Sequence, residues 1–229
     1  MTEAPPVVHH FAVERTARYS LLGEPGPEVR ELWMVLHGYR QLAPRFIRRF
    51  RGIAAPHRLV AAPEALNRFY VGDAPGRHGP EARVGGTWMT HEDRETEIAD
   101  YVRYLDALQD HLAGQLAPDV RTVVLGFSQG VHTAARWTAL GSVKPSALVF
   151  WGEYLPQDLD RPAAAAAWGQ ADLVFVRGEA DTHHHQDRAS AEIADLIGSG
   201  VQARERTHPE GHRIHEPLVA DLAREFEDV

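Results

Sequence analysis

Short apolar runs alternate with longer amphipathic stretches from about residue 30 to the end of the chain. Several runs are almost continuously apolar, such as Thr-Val-Val-Leu at 122–125 and Leu-Val-Phe-Val at 173–176. A strand that is buried on both faces of a parallel sheet has this composition. The pattern predicts strands at 31–37, 58–62, 121–127, 146–151, 172–177 and 201–207. A further strand within 11–22 is expected at an antiparallel edge of the sheet.

The stretches between these strands have the spacing of amphipathic helices. In the clearest example, apolar residues follow one another at intervals of three or four residues from Ile98 to Leu112. Helices are predicted at 43–54, 91–114, 129–140, 187–198 and 214–227. This alternation indicates an α/β protein with a doubly wound, mostly parallel sheet. The length of 229 residues fits one domain over 1–229.

One segment interrupts the alternation. Residues 71–89 contain five glycines and two prolines, so no regular structure is predicted there. A long loop in a compact domain often acts as a lid or a binding loop, and a lid role for this segment is left open. The five consecutive alanines at 163–167 are expected to belong to a short helix.

The composition limits the chemistry that is available. A formal net charge of −8 argues against a nucleic-acid partner, because phosphate contact needs a basic face, and it would weakly repel strongly acidic substrates. The sequence has no cysteine, which excludes thiolate catalysis and cysteine-ligated metals. The amino terminus lacks a signal-peptide pattern, and no apolar run has membrane-spanning length. A soluble cytoplasmic protein without stable membrane insertion is therefore expected.

Residues 126–130 read Gly-Phe-Ser-Gln-Gly and match the pattern G-x-S-x-G. The pattern follows a predicted buried strand and precedes a predicted helix, which is the setting of the nucleophile elbow of α/β-hydrolases. Such a turn projects the serine hydroxyl above the sheet, and the first amides of the helix face developing negative charge. Ser128 is therefore the candidate nucleophile. The alternative is a Gly/Ser turn without chemistry.

A serine nucleophile needs a general base and an acid that orients the base. In this fold the acid comes before the histidine in the chain. Asp181 is the favoured acid, because it lies in the loop after the predicted strand 172–177. Glu153, Glu179 and Asp187 are the other candidates.

Three histidines follow the last predicted strand, namely His208, His212 and His215. His212 is the favoured base, because it follows a glycine just before the terminal helix, where a side chain can reach over the sheet edge. Two backbone amides are expected to form the oxyanion hole. One is the amide of Gln129, directly after the nucleophile, and the other is the amide of Tyr39, after the predicted strand 31–37.

The motifs at 36–38, 126–130, 178–181 and 211–212 together resemble those of the phospholipase/carboxylesterase family of small α/β-hydrolases, which includes acyl-protein thioesterases. The resemblance covers nearly the whole chain in motif order. It implies the α/β-hydrolase fold, with helices on both faces of a mostly parallel sheet and no large cap domain. It also implies hydrolysis of small esters or thioesters without a cofactor, by Ser128 as nucleophile, Asp181 as acid and His212 as base.

The chain departs from the family pattern at 37–41. The family usually has His-Gly-x-Gly-Asp there, whereas this chain reads His-Gly-Tyr-Arg-Gln. Tyr39 and Arg40 are therefore expected to change the shape or charge of the substrate pocket. Trp88 and Met89, which follow a pair of glycines, are further candidate pocket residues. The alternative for Trp88 is an aromatic side chain that anchors a surface loop to the core.

Three alternatives remain at the level of function. A serine peptidase or amidase could use the same triad, and a binding protein could retain the fold without catalysis. The three histidines at 183–185 could suggest a metal site, but adjacent side chains diverge, so no metal is expected. The expected partner is a small-molecule ester substrate, and a homodimer is left open.

Overall fold

The structure is a computed structural model that describes residues 6–72, 79–182 and 186–227. Its strands are β1 (Tyr19–Leu22), β2 (Glu31–Leu36), β3 (Arg58–Pro63), β4 (Asn67–Tyr70), β5 (Val84–Thr87), β6 (Arg121–Phe127), β7 (Ala147–Trp151), β8 (Asp172–Gly178) and β9 (Ala203–His208). Its helices are α1 (Ala43–Phe46), which continues into a 3-10 helix (Ile47–Ile53), α2 (Arg94–Ala113), α3 (Gln129–Leu140), α4 (Arg161–Trp168), α5 (Gln186–Gly198) and α6 (Glu216–Glu227). None of the described helices is long and apolar enough to span a membrane.

Seven strands form the central sheet in the order β1-β3-β2-β6-β7-β8-β9. All neighbouring strands are parallel except β1, which pairs antiparallel with β3 at one edge. The mostly parallel α/β sheet predicted from the sequence is therefore confirmed, and so is its antiparallel edge strand. Parallel pairing brings the carboxyl ends of the strands to one edge, where the loops carry the candidate site.

The sheet is buried on both faces, and this explains its apolar strands. All six residues of β2 are buried, and alternate side chains enter opposite cores. Leu32, Met34 and Leu36 pack on the face that is covered by α2, α3, α4 and α5. Trp33 and Val35 pack on the other face, against the α1 segment and α6. The carboxyl end of β2 is thereby fixed next to that of β6.

Two predictions at the level of elements are wrong. Residues 71–89 are not wholly irregular, because β5 pairs antiparallel with β4 in a separate hairpin. The glycine content of the segment concealed this strand, since glycine ordinarily weakens strands. The predicted helix 43–54 is α-helical for only four residues and continues as a 3-10 helix. The short helix expected around 163–167 is α4.

Candidate active site

Ser128 lies in a tight turn between β6 and α3. Its backbone has φ 53° and ψ −123°, a conformation that costs a non-glycine residue about 1–3 kcal/mol. The flanking glycines make the turn sterically feasible. A Cβ on Gly126 would lie 2.3 Å from the carbonyl oxygen of Gly130, and a Cβ on Gly130 would lie 2.3 Å from that of Leu36. The Ser128 amide donates to the carbonyl of Trp151 at 2.9 Å, which joins the turn to β7.

Asp181 and His212 come together from the loops that follow β8 and β9. The distance between His212 Nδ1 and Asp181 Oδ2 is 2.7 Å. The Asp181 side chain is buried, whereas 31% of the His212 side chain is exposed. In an imidazole whose Nδ1–H donates to this carboxylate, Nε2 is the nitrogen that can accept a proton. The His212 ring also packs on Phe127, with the ring centroids 5.0 Å apart, which places it beside the residue that precedes Ser128.

The other candidate acids are engaged elsewhere. Glu179 is exposed and accepts a hydrogen bond from the Thr207 hydroxyl at 3.0 Å. Glu153 accepts from the Tyr154 amide at 2.9 Å. The side chain of Asp187 lies outside the described residues, although its backbone belongs to α5.

The other candidate bases form a pair of their own. His208 is buried and stacks on His215, with centroids 5.2 Å apart and an interplanar angle of 1°. Burial, together with the charge of His215, lowers the pKa of His208. Neither ring nitrogen of His208 has a hydrogen-bond partner among the described residues. The favoured histidine is thus the one that the structure joins to a carboxylate.

The loop 37–41 approaches the serine from β2. A Cβ on Gly38 would lie 3.1 Å from the Cβ of Ser128, so no side chain separates the two segments. His37 is buried, and burial lowers its pKa. It is held as a neutral ring, because Nδ1 donates to the Gly38 carbonyl at 2.9 Å and Nε2 accepts from the Ala65 amide at 3.1 Å.

The departure from the family motif has a structural counterpart. Arg40 has φ 65°, a left-handed conformation that glycine adopts more easily, at the position where the family has its second glycine. Gln41, at the position of the family aspartate, accepts from the Gly38 amide through Oε1 at 2.8 Å. The Arg40 amide donates to the Gly86 carbonyl, and the Gly86 amide donates to the Gln41 carbonyl, both at 2.9 Å. Strand β5 therefore fixes the loop.

The two proposed oxyanion amides belong to Tyr39 and Gln129. In the described part of the chain, neither amide N–H donates to another residue. The Gln129 side chain is firmly held, since it donates to the Met89 carbonyl at 3.0 Å and to the Thr87 hydroxyl at 2.9 Å. These bonds tie the start of α3 to the end of β5.

The predicted pocket residues occupy different surroundings. Trp88 is only 1% exposed and donates from Nε1 to the His37 carbonyl at 2.8 Å, so it anchors the 37–41 loop from the core. Tyr39 is 53% exposed and stacks on Phe69, with centroids 5.3 Å apart. Met89 is half-buried, and its sulfur lies 3.5 Å from Arg136 Nη1.

A cavity of about 270 Å³ opens beside His212 and Phe127. Of the predicted pocket residues, Arg40 lines this cavity, and Tyr39, Trp88 and Met89 do not. Five other polar residues of the wall were not predicted from the sequence as pocket residues: Gln41, Arg45, Arg49, Arg83 and Arg213. No pattern could have found them together, because they come from separate segments and carry no common motif.

The three histidines at 183–185, which raised the question of a metal site, lie outside the described residues. Elsewhere in the described chain, ligand atoms of Glu31, His57 and Glu227 lie within 4.8 Å of one another. The Arg58 guanidinium bonds both carboxylates, so this group already holds a cation. It belongs to the amino-terminal ends of the strands, away from Ser128.

No family model and no curated protein matches the sequence. The fold, in contrast, matches solved structures. A carboxylesterase from Mesorhizobium loti has a TM-score of 0.69 at 20% identity, with 93% of this chain and 95% of that chain covered. An acyl-protein thioesterase 2 from Zea mays has a TM-score of 0.66 at 15% identity, with 93% and 99% covered. Esterase PE8 has a TM-score of 0.65 at 21% identity, with 94% and 100% covered. The chain therefore has the α/β-hydrolase fold of these esterases, and the residues that the structure describes include no large cap domain.

Proposed function

We propose that the protein is a serine hydrolase that cleaves small carboxylic esters, and thioesters, through an acyl-enzyme intermediate. The observation that carries the proposal is the 2.7 Å hydrogen bond between His212 Nδ1 and Asp181 Oδ2, at the strand ends that also carry the Ser128 elbow. A histidine oriented by a buried carboxylate is the base that a serine nucleophile requires. The esterase and thioesterase folds named above support the same reaction class.

In the proposed mechanism, the Ser128 oxygen attacks the ester carbonyl carbon, and His212 Nε2 takes the hydroxyl proton. The Asp181 carboxylate holds the ring in the tautomer with hydrogen on Nδ1 and stabilises the imidazolium that forms. The negative charge on the carbonyl oxygen is stabilised by the amides of Tyr39 and Gln129, aided by the amino terminus of α3. These amides have no other acceptor in the described chain, which is the condition that an oxyanion hole requires.

Collapse of the tetrahedral intermediate breaks the bond to the leaving alcohol or thiol, which receives the proton from His212. A water molecule then gives a proton to His212 and attacks the acyl-enzyme carbonyl. A second collapse releases the carboxylic acid and returns the proton to Ser128. No cofactor or metal takes part in this scheme, since the triad supplies the nucleophile and both proton transfers.

The first test is labelling by a fluorophosphonate probe, which reacts with an activated serine. We expect the wild type to be labelled and Ser128→Ala to remain unlabelled. Hydrolysis of a p-nitrophenyl ester series of increasing acyl length, with matched thioesters, then identifies the acyl group. Labelling that survives Ser128→Ala would refute the nucleophile. Absence of both labelling and hydrolysis would favour a binding protein, and cleavage of p-nitroanilides in preference to esters would favour a peptidase or amidase.

A further inference from the structure

The cavity beside His212 has an unusually basic wall. Of the twelve described residues that line it, five are arginines and none is acidic. The arginines reach the cavity from four segments: the 37–41 loop, the α1 segment with its 3-10 helix, the residue just before β5 and the loop after His212. They are Arg40, Arg45, Arg49, Arg83 and Arg213. This concentration of positive charge occurs in a chain whose formal net charge is −8.

Three of these five arginines form no ion pair with a described residue. Arg49 pairs with Glu216 at 3.1 Å, and Arg213 lies 3.9 Å from Glu210. The remaining three have no carboxylate within 4.0 Å in the described part of the chain; they are Arg40, Arg45 and Arg83. Guanidinium groups stay protonated in proteins, so these charges repel one another whenever the cavity holds only solvent.

The cavity adjoins the proposed reaction centre. His212 and Phe127 belong to its wall, and Gly38 beside Ser128 begins the loop that carries Arg40. Phe46 and Ile214 add apolar surface. A volume of about 270 Å³ is near the lower end of small-molecule pockets, which favours a small ligand. A substrate with its ester carbonyl at Ser128 can therefore extend a short chain into this basic space.

We propose that the cavity selects substrates that carry an anionic group, a carboxylate or a phosphate, on the ester. The inference rests on the proposed ester hydrolysis and adds the class of substrate. Arginine suits this role, because its planar fork donates two parallel hydrogen bonds to a carboxylate or phosphate. Arg40 contributes one of these guanidinium groups from a backbone position with φ 65°, where glycine would fit without strain.

The experiment compares esters that differ only in charge. On the acyl side, p-nitrophenyl hydrogen adipate and p-nitrophenyl 5-phosphonopentanoate are compared with p-nitrophenyl methyl adipate. On the leaving-group side, 4-acetoxybenzoate is compared with its methyl ester. We expect the wild type to favour one anionic ester over its neutral partner at least tenfold in kcat/KM. The acyl-side anionic ester with the higher kcat/KM shows whether the cavity prefers a carboxylate or a phosphate-like group.

The variants Arg45→Gln and Arg83→Gln test whether the cavity causes this preference. Loss of one charge-assisted contact should lower the anionic-to-neutral ratio of kcat/KM by about tenfold or more. Arg48→Gln and Arg51→Gln are matched controls, since both side chains are exposed on the 3-10 helix that continues α1 and neither lines the cavity. They should leave the ratio unchanged, although they change the net charge equally.

The outcomes separate this inference from the proposed function. Hydrolysis with no charge preference, or a preference that both cavity variants retain, would overturn the inference and leave the hydrolase proposal intact. If no ester is cleaved, the hydrolase proposal fails, and calorimetric titration with adipate and with inorganic phosphate tests the cavity alone. Binding that the Arg45→Gln/Arg83→Gln double variant loses would support an anion site, and absence of binding to the wild type would overturn it.

Discussion

At the residue scale, the proposed nucleophile is a single residue with a strained backbone. Ser128 adopts φ 53° in the turn after β6, and the hydrogen bond from its amide to Trp151 holds it there. Two glycines within two residues of it allow the sheet, the turn and α3 to approach closely. The sequence pattern predicted this turn because only glycine satisfies both contacts. The positions of Asp181 and His212 depend in turn on the loops after β8 and β9.

The substitution Asp181→Asn tests the carboxylate at the residue scale. An amide in place of the carboxylate would favour the wrong imidazole tautomer and would no longer stabilise the imidazolium. We expect kcat to fall by about 10,000-fold with little change in stability, measured by steady-state ester hydrolysis and thermal unfolding. Glu179→Gln is the matched control, because Glu179 is exposed and its side chain bonds only Thr207 among the described contacts. A larger loss in the control would identify Glu179 as the acid instead.

At the scale of elements, strand β5 supports the loop that carries the proposed oxyanion amide. The glycine content of this segment did not predict a strand. In the structure, however, the glycines are required by close backbone packing. A Cβ on Gly85 would lie 2.7 Å from both the Cα and the carbonyl oxygen of Arg40. The backbone of the 38–41 turn therefore packs directly on β5. The hydrogen bonds of Gly86 to the same turn complete the attachment.

The substitution Gly85→Ala should push the 38–41 turn away from β5. We expect a loss of about 1–3 kcal/mol in the free energy of unfolding, as in other overpacked sites. A fall in kcat should accompany it, because the Tyr39 amide moves from its position. Urea denaturation and ester hydrolysis measure the two effects. Gly52→Ala is the control, since a methyl group added at Gly52 would meet no packing neighbour within 4 Å; equal effects in the two variants would contradict this role of β5.

Glu64 joins the edge strand and the hairpin. It follows β3 and pairs with Arg18, before β1, and with Arg68 in β4. Burial alone would raise the pKa of this carboxyl, but hydrogen bonds from the two arginines outweigh burial and lower it below its ordinary value near 4.5. The folded state therefore binds the Glu64 proton more weakly than the unfolded state does.

This pKa shift predicts a pH dependence of stability. The contribution of Glu64 is complete above its ordinary pKa, near 4.5, and is lost as the pH falls through the lower pKa of the folded state. In Glu64→Gln, the free energy of unfolding should decrease less steeply below pH 4.5 than in the wild type. Urea denaturation at several pH values measures this slope. Glu24→Gln, at an exposed position, should keep the wild-type slope, and an unchanged slope in Glu64→Gln would refute the assignment.

At the scale of the whole molecule, Arg58 stabilises the amino-terminal end of the sheet, which lies opposite the candidate site. Its side chain is 4% exposed and bonds the carboxylate of Glu31 in β2. It also bonds the carbonyls of Ile53 and Ala223, and the carboxylate of Glu227. One guanidinium thus connects two strands, the 3-10 helix and α6. These contacts stabilise the amino-terminal ends of the strands. The loops of the candidate site lie at the opposite, carboxyl ends.

The substitution Arg58→Met tests how much these contacts contribute to the stability of the fold. The substitution leaves the 2% exposed side chain of Glu31 as an unpaired buried charge. We expect a loss of about 3–5 kcal/mol in the free energy of unfolding, measured by urea denaturation. Arg30→Met is the comparison, because Arg30 pairs with Asp119 at 3.4 Å with both side chains mostly exposed, and less than about 1 kcal/mol is expected. Equal losses in the two variants would contradict the assigned role.

Net charge describes the whole molecule but not its cavity. A charge of −8 suggested weak repulsion of acidic substrates, whereas the inferred preference is for anionic ones. The two effects operate at different distances from the cavity. Exposed charges farther away than about 8–10 Å are largely screened at physiological ionic strength, so the nearby arginines determine the potential in the cavity. Arg49 and Arg213 pair with glutamates, so the positive charge without a described partner lies on Arg40, Arg45 and Arg83.

The sequence by itself determined the parallel sheet, the elbow around Ser128 and the order of the candidate triad residues. These features depend on local periodicity and on glycines within a few residues of one another, so they can be found along the chain. The tertiary structure decided the pairing of β4 with β5, the anchoring role of Trp88 and the assembly of the arginine cavity. Each of these brings together residues that are far apart in the sequence, and no local pattern records which distant backbone or charge will be the neighbour.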